Sequence, residues 1–186
     1  MPRRHPRSRT SRALPRIWLM TDERQGDALW DALETMPRDG GIVFRHYSLD
    51  PTARRAVFEQ VRHVARRRGL MLLLAGPPSQ ARIWGADGAH GRFSRIKAGT
   101  MILSAPVHDG AELRRARHAD LIFVSPVFAT RSHPGVKGLG MAGFRPLLAQ
   151  SGKPVIALGG MNARRAERVM KSGAYGWAAI DGLTPR

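Results

Sequence analysis

The sequence predicts an α/β protein folded as a (β/α)8 barrel, the TIM barrel, short and without its final helix. Three observations predict it. From Arg16 onward, short apolar β-rich runs alternate with helix-patterned stretches, the pattern of a parallel sheet. Eight such runs fit a closed barrel, and no Gly-x-Gly-x-x-Gly follows the first one, so a dinucleotide-binding open sheet has little support. The 186 residues are fewer than the usual count of about 250. Thin loops are therefore expected, and no eighth helix, because the sequence ends five residues after Asp181. A missing helix would leave one flank open, which a second copy would cover as a homodimer.

The strands are predicted, in order, at Ile17–Thr21, Gly41–Tyr47, Leu70–Ala75, Gly88–Gly91, Met101–Val107, Leu121–Phe128, Pro154–Gly159 and Trp177–Asp181. Between them the helical pieces include Ala28–Met36, Thr52–Arg68, Gly110–Ala119, Ala142–Gln150 and Ala163–Lys171. In the second piece Val57, Val61 and Val64 form one apolar stripe, with arginines opposite. The last begins after Asn162, an N-cap residue type, and ends at Gly173, a C-cap residue type.

Composition bounds the rest. The hydrophobic fraction of 42% supports one full core, so residues 16–186 read as a single domain. No cysteine is present, which excludes disulfides and thiolate chemistry. The longest apolar runs are too short to span a bilayer. With no membrane segment or secretory signal read, the expected location is the cytoplasm. The formal net charge is +17, and all but four of the 31 basic residues are arginine. Such a field attracts phosphates and nucleic acids. Residues 1–15, rich in arginine and proline and free of acids, read as a disordered basic tail. Elsewhere the bases are scattered over all the helices without interleaved aromatics, so nucleic-acid binding has weak support.

A barrel works at the C-terminal ends of its strands. That rule selects Thr21 and Asp22; Arg45, His46 and Tyr47; Ala75 and Gly76; His90 to Arg92; Pro106 to His108; Phe128 to His133; Gly159 to Asn162; and Asp181 with Gly182. Gly159 and Gly160 lead into a helix, where backbone N–H groups can receive a phosphate.

Several of these pieces resemble a known family. GADGAH at 85–90, ADLIFVSPVFATRSH at 119–133, the GLG of 138–140 and PVIALGGMNARRAERVMKSGAYGWAAIDGL at 154–183 together resemble the thiamine-phosphate synthase/TenI superfamily. The likeness is good over about 85–183 and thinner over 16–84. It implies a protein of thiamine biosynthesis: a transferase that couples hydroxymethylpyrimidine diphosphate to thiazole phosphate, with release of pyrophosphate. Those thiamine precursors are the implied partners, and Mg2+ is the implied cofactor. On this sequence the implied catalytic residues are Arg45, His108 and His133. The implied phosphate-binding residues are Arg45, Thr130, Ser132, His133, Gly159, Gly160 and Gly182.

This sequence departs from the family where the metal acids belong. The strand-three Asn-Asp-Arg falls on Ala75-Gly76-Pro77, and the region five residues past His90 carries Arg92 and Arg95. Magnesium needs hard oxygen ligands, one or two of them carboxylates. Asp22 and Asp181 are the only acids left near the expected mouth. The TenI branch, thiazole tautomerases, needs no metal, but Pro126 stands at its catalytic histidine position; His108 and His133 would have to substitute. A non-catalytic thiamine-phosphate binding protein is a further reading. Among bland readings, His90 fits a structural role, and Trp18, Trp30, Trp84 and Trp177 fit packing.

Overall fold

The computed structural model describes residues 13–93, 101–131, 135 and 137–185. Most of the expected tail, residues 1–12, lies outside them, as do Arg95, Ser132 and His133. Eight parallel strands close into a barrel in sequence order. They are β1 (Ile17–Met20), β2 (Gly41–Phe44), β3 (Met71–Ala75), β4 (Gly88–His90), β5 (Ile102–Val107), β6 (Leu121–Val124), β7 (Val155–Leu158) and β8 (Gly176–Ala179). Pairing of Trp18 with Ala178 and Leu19 with Ala179 joins β1 to β8 and completes the ring.

The helices are α1 (Ala28–Thr35), α2 (Pro51–Arg68), α3 (Pro78–Trp84), α4 (Gly110–Arg115), α5 (Gly140–Gln150) and α6 (Ala163–Lys171). Among the described residues no helix joins β4 to β5, and a single 3-10 turn, Asp181–Leu183, follows β8.

The strands are apolar on both faces because both are covered. Trp18, Met20, Val43, Leu73, Leu121, Phe123 and Ile156 fill the interior. Leu19, Ile42, Phe44, Leu72 and Leu74 face outward against α1 and α2. Ile122, Val124, Val155 and Ala157 do the same toward α5 and α6. Trp18 is fully buried, meets Phe123 edge-on at 5.5 Å between ring centroids, and donates from Nε1 to the Pro15 carbonyl at 2.7 Å. Its ring lies over Gly41, where any Cβ would fall inside the indole. Leu14 and Arg16 also attach to the barrel: the Tyr175 hydroxyl donates to the Leu14 carbonyl at 2.6 Å, and the Trp177 amide to the Arg16 carbonyl at 2.8 Å.

Several element limits differ from the expectation, each for a local reason. Strand β2 stops at Phe44 rather than Tyr47, because Thr21 Oγ1 captures the Arg45 amide and His46 turns to φ 42°. Strand β6 stops at Val124 rather than Phe128, because Pro126 has no N–H to donate. Val127 and Phe128 still donate to the carbonyls of Leu158 and Gly159. Helix α4 ends at Arg115, four residues early, and β8 ends at Ala179 where the chain turns into its 3-10 segment.

Helix α3 was absent from the sequence reading, although Pro78 at its start and the left-handed Gly85 at its end are its signals. In α2 the fully buried stripe is Phe58, Val61 and Ala65, with Val57 and Val64 flanking it. The reading of α6 holds: Asn162 Oδ1 accepts from the Arg165 amide at 3.0 Å, and Gly173, just past the helix, has φ 96°.

Trp18→Ala removes the largest interior side chain and leaves a cavity among rigid strands. It should lower stability by about 3–5 kcal/mol, measured by denaturant unfolding. A loss under about 1 kcal/mol would mean that the barrel interior collapses around the gap.

Candidate functional site

The C-terminal ends of the strands surround a cavity of about 170 Å3. Arg45, His108, Ser125, Thr130, Gly159, Gly160, Asp181 and Gly182 line it, with Pro126, Leu158, Met161, Ala179 and Ile180 as its apolar surface. Eight of the sequence-selected positions therefore meet around one space. Ser125, Pro126, Leu158, Ala179 and Ile180 fall outside that selection. The inward alternation of β6 after Leu121 and Phe123 would have indicated Ser125. Among the described residues its hydroxyl has no hydrogen-bond partner.

Arg45 is fixed by its neighbours. Its Nε donates to the Thr21 carbonyl at 2.7 Å, and its Nη2 to Asp22 Oδ2 at 2.6 Å. Its backbone N–H donates to Thr21 Oγ1 at 3.0 Å, and the Thr21 hydroxyl in turn meets His46 Nδ1 at 3.0 Å. The His46 ring stacks flat on Phe44 at 4.7 Å, and burial lowers its pKa. A second arginine supports this wall from behind. Arg54 on α2 donates to the carbonyls of Arg45 and Ala75 at 2.9 and 2.7 Å. Its guanidinium lies 5.6–5.7 Å from the centroids of Phe44, Tyr47 and Trp84.

The loops after β6, β7 and β8 pack without spare room. Gly160 has φ 59°, and a Cβ there would collide with the Ala129 carbonyl; one on Gly182 would collide with the Met161 carbonyl. The Gly160 and Gly182 N–H groups donate to no described group. The β6–α5 loop is pinned at its ends: Leu139 and Gly140 donate to the carbonyls of Pro126 and Val127, each at 2.8 Å. Arg165 reaches back from α6 to the Gly160 carbonyl and lies over the Phe128 ring.

His108 forms a dyad with Glu112. The imidazole Nδ1 is 2.7 Å from Glu112 Oε2, and Arg92 Nη2 donates to Glu112 Oε1 at 2.7 Å. Burial opposes ionisation of Glu112, but the His108 hydrogen bonds and the Arg92 charge outweigh it and lower the pKa. His90 lies elsewhere, inside the barrel against Phe123, with Nδ1 2.9 Å from Ser104 Oγ.

The metal expectation fails on the donor set. Asp22 does not line the cavity, and both its oxygens are occupied. Oδ1 accepts from Arg24 Nε at 2.7 Å, and Oδ2 from Arg24 Nη2 and Arg45 Nη2 at 3.1 and 2.6 Å. Burial works against its charge, yet the Arg24 hydrogen bonds and the Arg45 charge hold the pKa low. Asp181 is paired with Arg131 at 3.0 Å. Among the described residues no group of three or more His, Asp or Glu is arranged for a metal. The residues outside them between 94 and 136 include no acid. The side chains present do not fit a magnesium site.

The thiamine monophosphate synthase (TMP-TENI) family model matches residues 17–183, all of the barrel. This chain belongs to the thiamine monophosphate synthase family. A thiamine-phosphate synthase of Thermus thermophilus is 30% identical over 177 residues, 87% of this chain and 85% of that one. One from Chloroflexus aurantiacus is 27% identical over 182 residues, 90% and 84% of the two chains. The thiamine phosphate pyrophosphorylase structure from Pyrococcus furiosus has the same fold, with a TM-score of 0.76 at 23% identity over 93% of this chain and 89% of that one. No helix among the described residues is long and apolar enough to cross a membrane.

Burial without a counter-charge lowers the His90 pKa to about 3, from an ordinary 6.5. Between those values the unfolded chain binds a proton that the folded chain refuses. Stability should therefore fall as pH falls from about 6.5, by at most about 1.4 kcal/mol per pH unit from this group. His46, shifted the same way, adds to the slope. Denaturant midpoints compared between about pH 7 and pH 5 should show a shallower loss in His90→Gln. An unchanged slope would show that His90 is not its source.

Proposed function

We propose that this member of the family couples hydroxymethylpyrimidine diphosphate to thiazole phosphate, giving thiamine phosphate and pyrophosphate. Family membership across the whole barrel supports the reading. The observation that carries it is the meeting of Arg45, Thr130 and the Gly159, Gly160 and Gly182 backbone around one cavity. The carbon–oxygen bond to the diphosphate breaks with its electron pair going to the leaving group. The thiazole nitrogen lone pair forms the new carbon–nitrogen bond and leaves the ring cationic. No proton has to move. What the protein must supply is orientation and positive charge beside the departing diphosphate.

In this reading Arg45 faces the diphosphate, already aimed by Thr21 and Asp22. Thr130 and the Gly160 and Gly182 amides hold the thiazole phosphate, with Ser132 and His133 of the same loop as further contacts. The cytoplasm, where phosphorylated precursors are made and kept, is the proposed location.

A second reading rests on the His108–Glu112 pair. A histidine oriented by a carboxylate at the cavity edge is suited to moving a proton on a thiazole ring, the tautomerase reaction.

Incubating the protein with both precursors should yield thiamine phosphate, and Arg45→Ala should cut kcat/KM at least tenfold, about 1.4 kcal/mol of transition-state stabilisation. No product from a protein that still binds thiazole phosphate would exclude the synthase reading. Thiazole isomerisation lost in His108→Ala would then favour the second.

A further inference from the structure

We propose that this site takes its anionic ligand directly on arginine and backbone amides, with no divalent cation between them. The proposal rests on the synthase reading only for the choice of a diphosphate as ligand. Its basis is the use made of Asp22, Glu112 and Asp181 beside the cavity. Asp22 receives hydrogen bonds from Arg24 and Arg45, Glu112 from Arg92, and Asp181 from Arg131. A cation on Asp181 would sit beside the Arg131 guanidinium that holds Oδ2, and one that used Asp22 or Glu112 would have to displace a hydrogen-bonded base and leave it beside the metal without its counter-ion. That exchange replaces one favourable pair with a repulsion, at the place where a phosphate ligand most needs positive charge.

The donors for a direct contact are already present. Two of the three guanidinium nitrogens of Arg45 are occupied, Nε by the Thr21 carbonyl and Nη2 by Asp22. Nη1 has no partner among the described residues and belongs to a side chain that lines the cavity. The Gly160 and Gly182 N–H groups at the same cavity also donate to no described group. Asp22 leaves Arg45 charged and holds its plane still, so the arginine meets a phosphate oxygen with little rotamer freedom left to lose. A guanidinium brings one positive charge, the same net charge as a carboxylate carrying a divalent cation. The electrostatic demand of a leaving diphosphate can thus be met by a different chemical group.

The test is calorimetric titration of inorganic pyrophosphate, first in excess EDTA and then with Mg2+. The proposal expects one pyrophosphate per chain in EDTA, with an affinity within about threefold of that in Mg2+. Arg45→Gln, verified as folded by circular dichroism, should weaken it at least tenfold. Binding that appears only with Mg2+, or in neither buffer, overturns the proposal. So does binding of several ions per chain unaffected by Arg45→Gln, which is the response of a basic surface. The two readings fail separately. Pyrophosphate bound in EDTA with no thiamine phosphate formed removes the synthase reading alone. Product formed only with Mg2+, from a protein that binds pyrophosphate only with Mg2+, removes this one alone.

Discussion

Everything at the functional end depends on closing eight very short strands into a ring around filled space. No strand exceeds six residues, so each supplies at most three inward side chains. The ring closes where β8 pairs with β1, and its lower interior is occupied by one large indole, that of Trp18. That choice dictates others. Gly41 must stay bare beneath the ring, and the chain just before β1 must stay close enough for Pro15 and Leu14 to accept hydrogen bonds. With the base filled in this way, the strand ends gather their loops above it, and five of those loops define the cavity.

Acidic charge in this protein is largely consumed internally. With 31 basic residues and 14 acidic ones, acids are scarce, and around the cavity Asp22, Glu112 and Asp181 are each claimed by an arginine. Several arginines are also structural parts. Arg54 ties together two strand ends and sits among three aromatic rings, and Arg165 braces the loop that contains Gly160. Part of the formal charge of +17 is thus tied up in backbone contacts. Arg45 is the instructive case, because it is structural through two nitrogens and available through the third.

The fold was legible because the strands are buried on both faces. Runs such as GIVF, MLLLA, LIFV and VIAL have no polar side to confuse the pattern. The barrel rule then located Arg45, His108, Thr130, Gly159, Gly160 and Gly182 at one end of the molecule. What the sequence withheld depends on contacts distant in the chain or on a backbone detail. The capture of Asp22 by Arg45 spans 23 residues. The shift of the α2 stripe to Phe58 and Ala65 follows how α2 lies against the barrel wall. Helix α3 was hidden by Pro77 and Pro78, which read as a break but initiate the helix. His90 stood at a strand end in the sequence, yet the inward turn of β4 buries it below the cavity.

The pinned ends of the β6–α5 loop have a consequence for how such a protein can diverge. Pro126 and Val127 are tied to Leu139 and Gly140 by two backbone hydrogen bonds, and these do not depend on side-chain identity. The intervening residues are thus bracketed from the strands and helices on either side. The bracket itself places no demand on which side chains lie between its two ends. Ligand preference can drift at this edge of the barrel while the architecture stays the same, so such a chain can keep its family's form long after its appetite has changed.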